Sequence, residues 1–251
     1  MSAPFSDPAL AALRHRIAAI EGGHGPPLAV LPFGVSELDC RLTKGGLALG
    51  CLHEVAGGGN GAVDGAAAAC FAAGIAARLP GQVLWCVTQA DLFAPGVEQS
   101  GLSPDRVIHV EAGDDTAVLA CMEEGLRHGG LAAVVADVAR LSMTASRRLH
   151  LAAKSTGTTG IALRRWRHHA EAADFGQPTA AMTRWRVSAI PSAPLPVQGV
   201  GRARWLVELL RARAGESFDI ELEACDGTGH LGLPADVAGG SAATAGRLAF
   251  G

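Results

Sequence analysis

Tyrosine is absent from the 251 residues, and aromatic side chains make up only 4% of them. That scarcity disfavours an aromatic-rich recognition surface. The six cysteines, Cys40, Cys51, Cys70, Cys86, Cys121 and Cys225, form no C-x-x-C pair, and no histidine pair completes a metal pattern. They read as buried free thiols in a reducing cytoplasm, with no metal expected. No apolar run reaches the roughly 18 residues of a membrane span. The N-terminal stretch contains acid and proline and lacks the apolar core of a signal peptide. A cytoplasmic location away from membranes is therefore expected. Excess charge of either sign is also lacking: the net charge of −3 excludes a chain that binds polyanions over its whole surface. What is present is apolar content, 49% of residues, much of it alanine, with 33 glycines besides. This suffices for a substantial core in one large domain or two small ones.

The chain is organised around residues 46–65. A short apolar strand leads to a glycine-rich loop, and an alanine-rich helix follows to about Arg78. Strand, glycine loop and helix make the layout of a phosphate cradle. The chemistry of the cradle is missing. In the P-loop pattern G-x-x-x-x-G-K-[ST] begun at Gly57, Gly58, Gly59, Asn60 and Gly61 lead to Ala62 at the second glycine. Val63 then stands at the lysine and Asp64 at the hydroxyl. Valine cannot neutralise phosphate, and an aspartate at that helix start repels a triphosphate.

Before the loop, Asp7 and Pro8 mark a helix start. Leu10, Leu13, Ile17 and Ile20 repeat at helical spacing until Gly22 and Gly23. Residues 1–24 thus form an amphipathic helix and linker. The helix either packs on its own domain or docks on a neighbouring subunit or partner. Leu28 to Phe33 is a short apolar segment. After the loop, strands are predicted over 83–87, 107–110, 131–136 and 160–163, with helices over 116–128 and 144–155 between them. Nearly continuous apolar strands alternating with helices imply an α/β fold, a mostly parallel sheet covered on both faces. Strands near Trp185, over 205–210 and over 218–222 follow without intervening helices, an antiparallel edge extension. The core spans 28–233, and 234–251, rich in Gly, Ala, Ser and Thr, is a flexible tail.

In order, these pieces resemble the RecA-type ATPase core. Gly34 to Asp39 gives Gly-x-x-x-Leu-Asp, and Gly45 to Gly50 gives Gly-Gly-Leu-x-x-Gly. Glu54 is the acidic residue on the strand before the phosphate loop. Phe175-Gly176-Gln177-Pro178-Thr179 is similar to the entry of the second DNA-binding loop. Within that superfamily the chain is most similar to the ImuA family, the RecA-like accessory proteins of bacterial mutagenesis cassettes. Residues 137–141, 146–149, 151–153, 162–165 and 183–187 carry that likeness. The resemblance implies damage-induced translesion synthesis alongside ImuB, an inactive Y-family polymerase relative, and, indirectly, an error-prone replicative-type polymerase. It also implies a non-catalytic adaptor without cofactor. The position of the water-activating glutamate falls on Gln89, a poor base. The Walker B aspartate falls on Ala136 or Asp137, and the polar relay on Arg164 or Arg165. The first DNA loop is nearly absent and the second is short. Alternatives from other classes are a cell-division inhibitor of the SulA type and a DNA-dependent ATPase of the RecA type.

Several site readings stay open. The glycine loop is a structural turn, an anion site made of backbone N–H groups, or a dinucleotide site. The last fits G-x-G-x-x-A but lacks the usual ribose-binding acid at the end of the next strand. Arg164, Arg165, Arg167, Arg184, Arg186, Arg202 and Arg204, interleaved with tryptophans, are a solvated face over a tryptophan core, a stripe for single-stranded nucleic acid, or a contact for an acidic partner. His53 reads as a packed histidine. Asp114, Asp115, Glu123 and Glu124 read as solvated helix charges. The N-terminal helix carries self-association by analogy with RecA subunits.

Overall fold

The computed structural model describes residues 29–59, 61–166, 175–193, 195, 199–213 and 215–234. The helix expected from Leu10, Leu13, Ile17 and Ile20, the tail expected beyond 234, Asn60 and Arg167 lie outside them.

A small entry unit comes first. Strands β1 (Val30–Leu31) and β2 (Leu47–Ala48) pair antiparallel, with the short helix α1 (Ser36–Asp39) between them. The Gly-x-x-x-Leu-Asp motif has a local reason. The Asp39 carboxylate reaches back to accept from the N–H groups of Phe33 at 2.7 Å and Gly34 at 2.9 Å, while Leu38 is buried.

The main body follows as β3 (Leu52–Gly57), α2 (Gly61–Ala77), β4 (Val83–Val87), α3 (Ala94–Gln99), β5 (Val107–Glu111), α4 (Asp115–His128), β6 (Ala133–Val138), α5 (Met143–Thr156), β7 (Thr159–Arg164), β8 (Thr183–Ile190), β9 (Arg204–Ala212) and β10 (Phe218–Glu223). One sheet of eight strands runs β10-β9-β8-β3-β7-β6-β4-β5. The strands from β8 through β5 are parallel, and β9 and β10 extend the sheet antiparallel. Strands β3, β6 and β7 are buried along their whole length, which is why they show no polar alternation and why their few charged side chains, such as Glu54 and Arg164, are paired inside the fold. The helices α4 and α5 begin at side-chain caps, Asp114 and Ser142, and end at the left-handed glycines Gly129 and Gly157.

Two apolar layers result. One lies under α2 and gathers Phe33, Phe71, Trp85, Trp185 and Trp205. Trp185 stands 5.7 Å from Phe33 and 5.9 Å from Phe71, ring centre to ring centre. The scarce aromatics are thus mostly spent on the core. The other layer, under α4 and α5, is built from smaller side chains such as Val118, Met122, Ala136 and Leu149. Helix α2 is alanine-rich because it is hemmed in on several sides. A Cβ on Gly74 would collide with Cys225 and come within 3.2 Å of the Gly229 carbonyl, in the segment after β10.

Three expectations need correction. The strand expected over 131–136 runs instead over Ala133–Val138. Its ladder with β4 opens at Ala133 opposite Val83, and Ala132 N–H is spent on the Gln82 carbonyl. Helix α3 went unpredicted because a proline and a glycine sit inside its six residues. Cys40 is exposed, unlike the buried Cys51 and Cys86.

Candidate functional site

The glycine loop leaves the C-terminal end of β3, and α2 starts at Gly61. Fit between the two is close: a Cβ on Gly57 would stand 2.8 Å from the backbone of Asp64 and Gly65. Ala62 lines the cleft beside the loop, and Val63 is exposed. Asp64 is buried, and its carboxylate accepts from the N–H of Ala189, at the end of β8, at 2.8 Å. A Cβ on Gly58 would collide with the Ser188 hydroxyl and lie 2.6 Å from the other Asp64 oxygen, so a larger residue there would have to push on that brace. The residue at the magnesium-ligand position therefore ties α2 to a neighbouring strand. The cleft, of about 750 Å³, is bounded by the loop, Cys70, Phe93 and Arg165.

The pleat sends Ala136 and Asp137 to opposite faces of the sheet. Ala136 points into the layer under α4 and α5. Asp137 therefore points to the α2 side, with Val135. Its carboxylate binds a guanidinium. Arg165, just past β7, donates to Asp137 at 2.7 Å and to the two oxygens of Asp91 at 3.1 and 2.8 Å. Burial would weaken the guanidinium's hold on its proton, but Asp137 and Asp91 outweigh it and the pKa is raised. Gln89 is exposed, on the turn after β4. On the far side of Arg165 and Trp166 opens a second cleft of about 640 Å³, lined in part by Thr88, Asp115 and Arg140. Asp115 is not a solvated charge. It accepts from the N–H groups of Ala139 at 3.2 Å and Arg140 at 3.0 Å, pinning the short turn after β6. Mg-ATP does not fit this donor set. Valine stands for the lysine, Asp64 is committed to Ala189, and Asp137 is matched by Arg165.

The arginines expected in one stripe are separated. Arg164 and Arg184 are buried, on the two strands that flank β3. Arg164 donates to Glu54 at 2.9 Å and Arg184 at 3.1 Å, and the Thr179 hydroxyl completes the carboxylate's shell. Arg164 also holds the Ala139 carbonyl at 2.8 Å, and Arg184 the Phe175 and Gln177 carbonyls at 2.5 and 2.7 Å. The Phe175 ring lies 5.0 Å from the Arg184 guanidinium and 5.8 Å from that of Arg164, with Trp166 edge-on at 5.3 Å. These two arginines fasten the turn after β6 and residues 175–179 to the sheet; they do not reach solvent. Arg186 pairs with Glu208 at 2.6 Å, Arg204 with Glu221 at 2.6 Å, and Arg202 with Glu223 at 3.1 Å.

His53 is a packed histidine. Nδ1 lies 2.7 Å from the Thr183 hydroxyl and Nε2 2.8 Å from the Ala48 carbonyl, and burial lowers its pKa from 6.5 to about 4. Glu123 departs from expectation: it is buried and pairs with Arg127 at 2.7 Å and with Arg148. Asp91 and Glu54 as arginine acceptors were missed, because neither lies near its partner in sequence. Among the described residues no group of three or more His, Cys, Asp or Glu is placed to hold a metal. No described helix is long and apolar enough to cross a membrane.

No protein-family model matches the chain. Two relatives named Protein ImuA, from two strains of Caulobacter vibrioides, are each 39% identical over 206 residues, spanning 78% of this chain and 84% of the relative. Among solved structures, the crystal structure of the RadB recombinase matches with a TM-score of 0.53 at 17% identity, covering 81% of this chain and 99% of that one. That likeness speaks to fold, and with the sheet order it agrees with the RecA-like core expected from the motifs.

Proposed function

The chain belongs to the ImuA family, and from that membership we propose that it is a non-catalytic, RecA-like adaptor of the ImuA/ImuB mutagenesis system. It supports damage-induced translesion synthesis in the cytoplasm, binds an ImuB-like inactive polymerase relative, and through it serves an error-prone replicative-type polymerase. Its core is 28–233, and the amphipathic helix with Leu10, Leu13, Ile17 and Ile20 carries self-association. One observation supports the non-catalytic part above the others: Arg165 joins Asp91 to Asp137 beside a loop whose lysine position is Val63. A guanidinium held by two carboxylates, one nearly buried, is costly to displace, and valine offers phosphate nothing.

The test is genetic. Deleting the gene should abolish damage-induced mutation, and the intact chain should restore it. Val63→Ala and Gln89→Ala should restore it equally, since an adaptor needs neither side chain for chemistry. Failure of both variants to complement would point to an ATPase. Filamentous cells on induction, with an unchanged mutation rate, would point to a SulA-type division inhibitor. Co-purification of a tagged ImuB with the chain is expected, and its loss on truncating residues 1–24 alone would place the partner contact there.

A further inference from the structure

Two cations with no ion pair among the described residues, Arg147 and Lys154, lie away from the glycine loop, on α5. No acidic residue occurs in Met143–Thr156. Arg147, Leu151 and Lys154, at i, i+4 and i+7, share one exposed helix face. Leu149, Ala152 and Ala153 turn into the core on the other. Leu151 is 65% exposed, a large apolar side chain set between two cations. Arg148 and Arg127 extend the basic rim and share one carboxylate, Glu123, between them. The rim continues on the sheet. Residues 179–182 join the two elements, with Ala180 N–H on the Ser146 hydroxyl and Arg213 N–H on the Met182 carbonyl, which brings Arg213 beside α5. His150, on α5 itself, feels this crowding: its pKa is lowered by burial first, then by Arg213 and Lys154. Among the described residues no ion pair takes up Arg147, Lys154 or Arg213.

We propose that this face of α5 docks an acidic protein segment that lays an apolar side chain on Leu151 between Arg147 and Lys154. Charge complementarity selects the sign of the partner, and the central leucine selects a protein over a nucleic acid. A strand of DNA or RNA would call for phosphate contacts and a stacking platform, whereas Trp166 and Phe175 are packed on each other. This docking face is independent of the mutagenesis reading, because it uses none of the cleft residues.

The test uses the full chain and three fluorescent probes: a glutamate-rich helical peptide with leucines at i, i+4 spacing, the same peptide with serine for leucine, and oligothymidylate. The leucine peptide should bind, with affinity falling as salt rises. Arg147→Glu with Lys154→Glu should weaken it about tenfold, a loss fitting two rim charges, and Leu151→Ser several-fold. The serine peptide should bind more weakly to the native chain and respond little to Leu151→Ser. All three substitutions are on exposed positions, and unchanged thermal melts would establish that folding is intact. Equal binding of the two peptides would overturn the proposal, as would indifference to Leu151→Ser or no peptide binding at all. Preferential binding of oligothymidylate, lost in the double charge reversal, would assign the face to nucleic acid instead.

Discussion

The glycine-loop cleft and the outer face of α5 handle charge in opposite ways. Beside the cleft, charges are answered from within: Arg165 by Asp91 and Asp137, Asp64 by the Ala189 amide, Arg164 and Arg184 by Glu54. On α5, Arg147 and Lys154 stand in solvent with a leucine between them. Charges closed on each other hold the fold together, while charges left open are what a partner can read. The difference teaches that counting basic residues along the sequence does not locate a basic surface.

Four measurements would break or sharpen this contrast. The largest effect is expected at the buried ionic cluster. Glu54→Ala strands two buried guanidinium groups and should cost about 3–5 kcal/mol in urea unfolding; a loss below about 1 kcal/mol would mean that the cluster is not dry. Next comes acid. The unfolded chain takes up the His53 proton as pH falls through 6.5, and the folded chain only near 4. Stability from this group is therefore complete above 6.5 and is lost on descent to about 4. The total is on the order of 3 kcal/mol, and His150, shifted the same way, adds to the slope. His53→Gln should flatten the fall, and an unchanged slope would assign it elsewhere. Asp64→Ala should cost about 1–3 kcal/mol by leaving the Ala189 N–H unpaired; no loss would return Asp64 to a ligand-binding role. The smallest effect belongs to α5, where Arg147→Glu and Lys154→Glu should each change stability by less than about 0.5 kcal/mol. A larger loss would place these side chains in internal pairs.

Much of the fold was legible because its strands are short, apolar and separated by periodic helices. Strand β4 falls on 83–87, as predicted, and α4 and α5 within a residue of their expected ends. The antiparallel edge showed itself through strands without helices between them. The candidate site was legible only in part. That Val63 and Asp64 depart from the P-loop pattern can be read from the sequence, but the bond from Ala189 to Asp64 cannot, since the two lie 125 residues apart. Only the pleat shows that Asp137, and not Ala136, faces the α2 side. Arg164 and Arg165 are neighbours with opposite fates, because one lies within the last strand residues beside Glu54 and the other past the strand, where Asp91 and Asp137 meet it. Parallel pairing sets those partners, and it is non-local.

The most direct measurement is Mg-ATP hydrolysis by the purified full chain, with and without single-stranded DNA. The account predicts no turnover above buffer, unchanged by Val63→Ala or Gln89→Ala. Turnover that DNA stimulates and that disappears on altering Asp137 or Arg165 would contradict it.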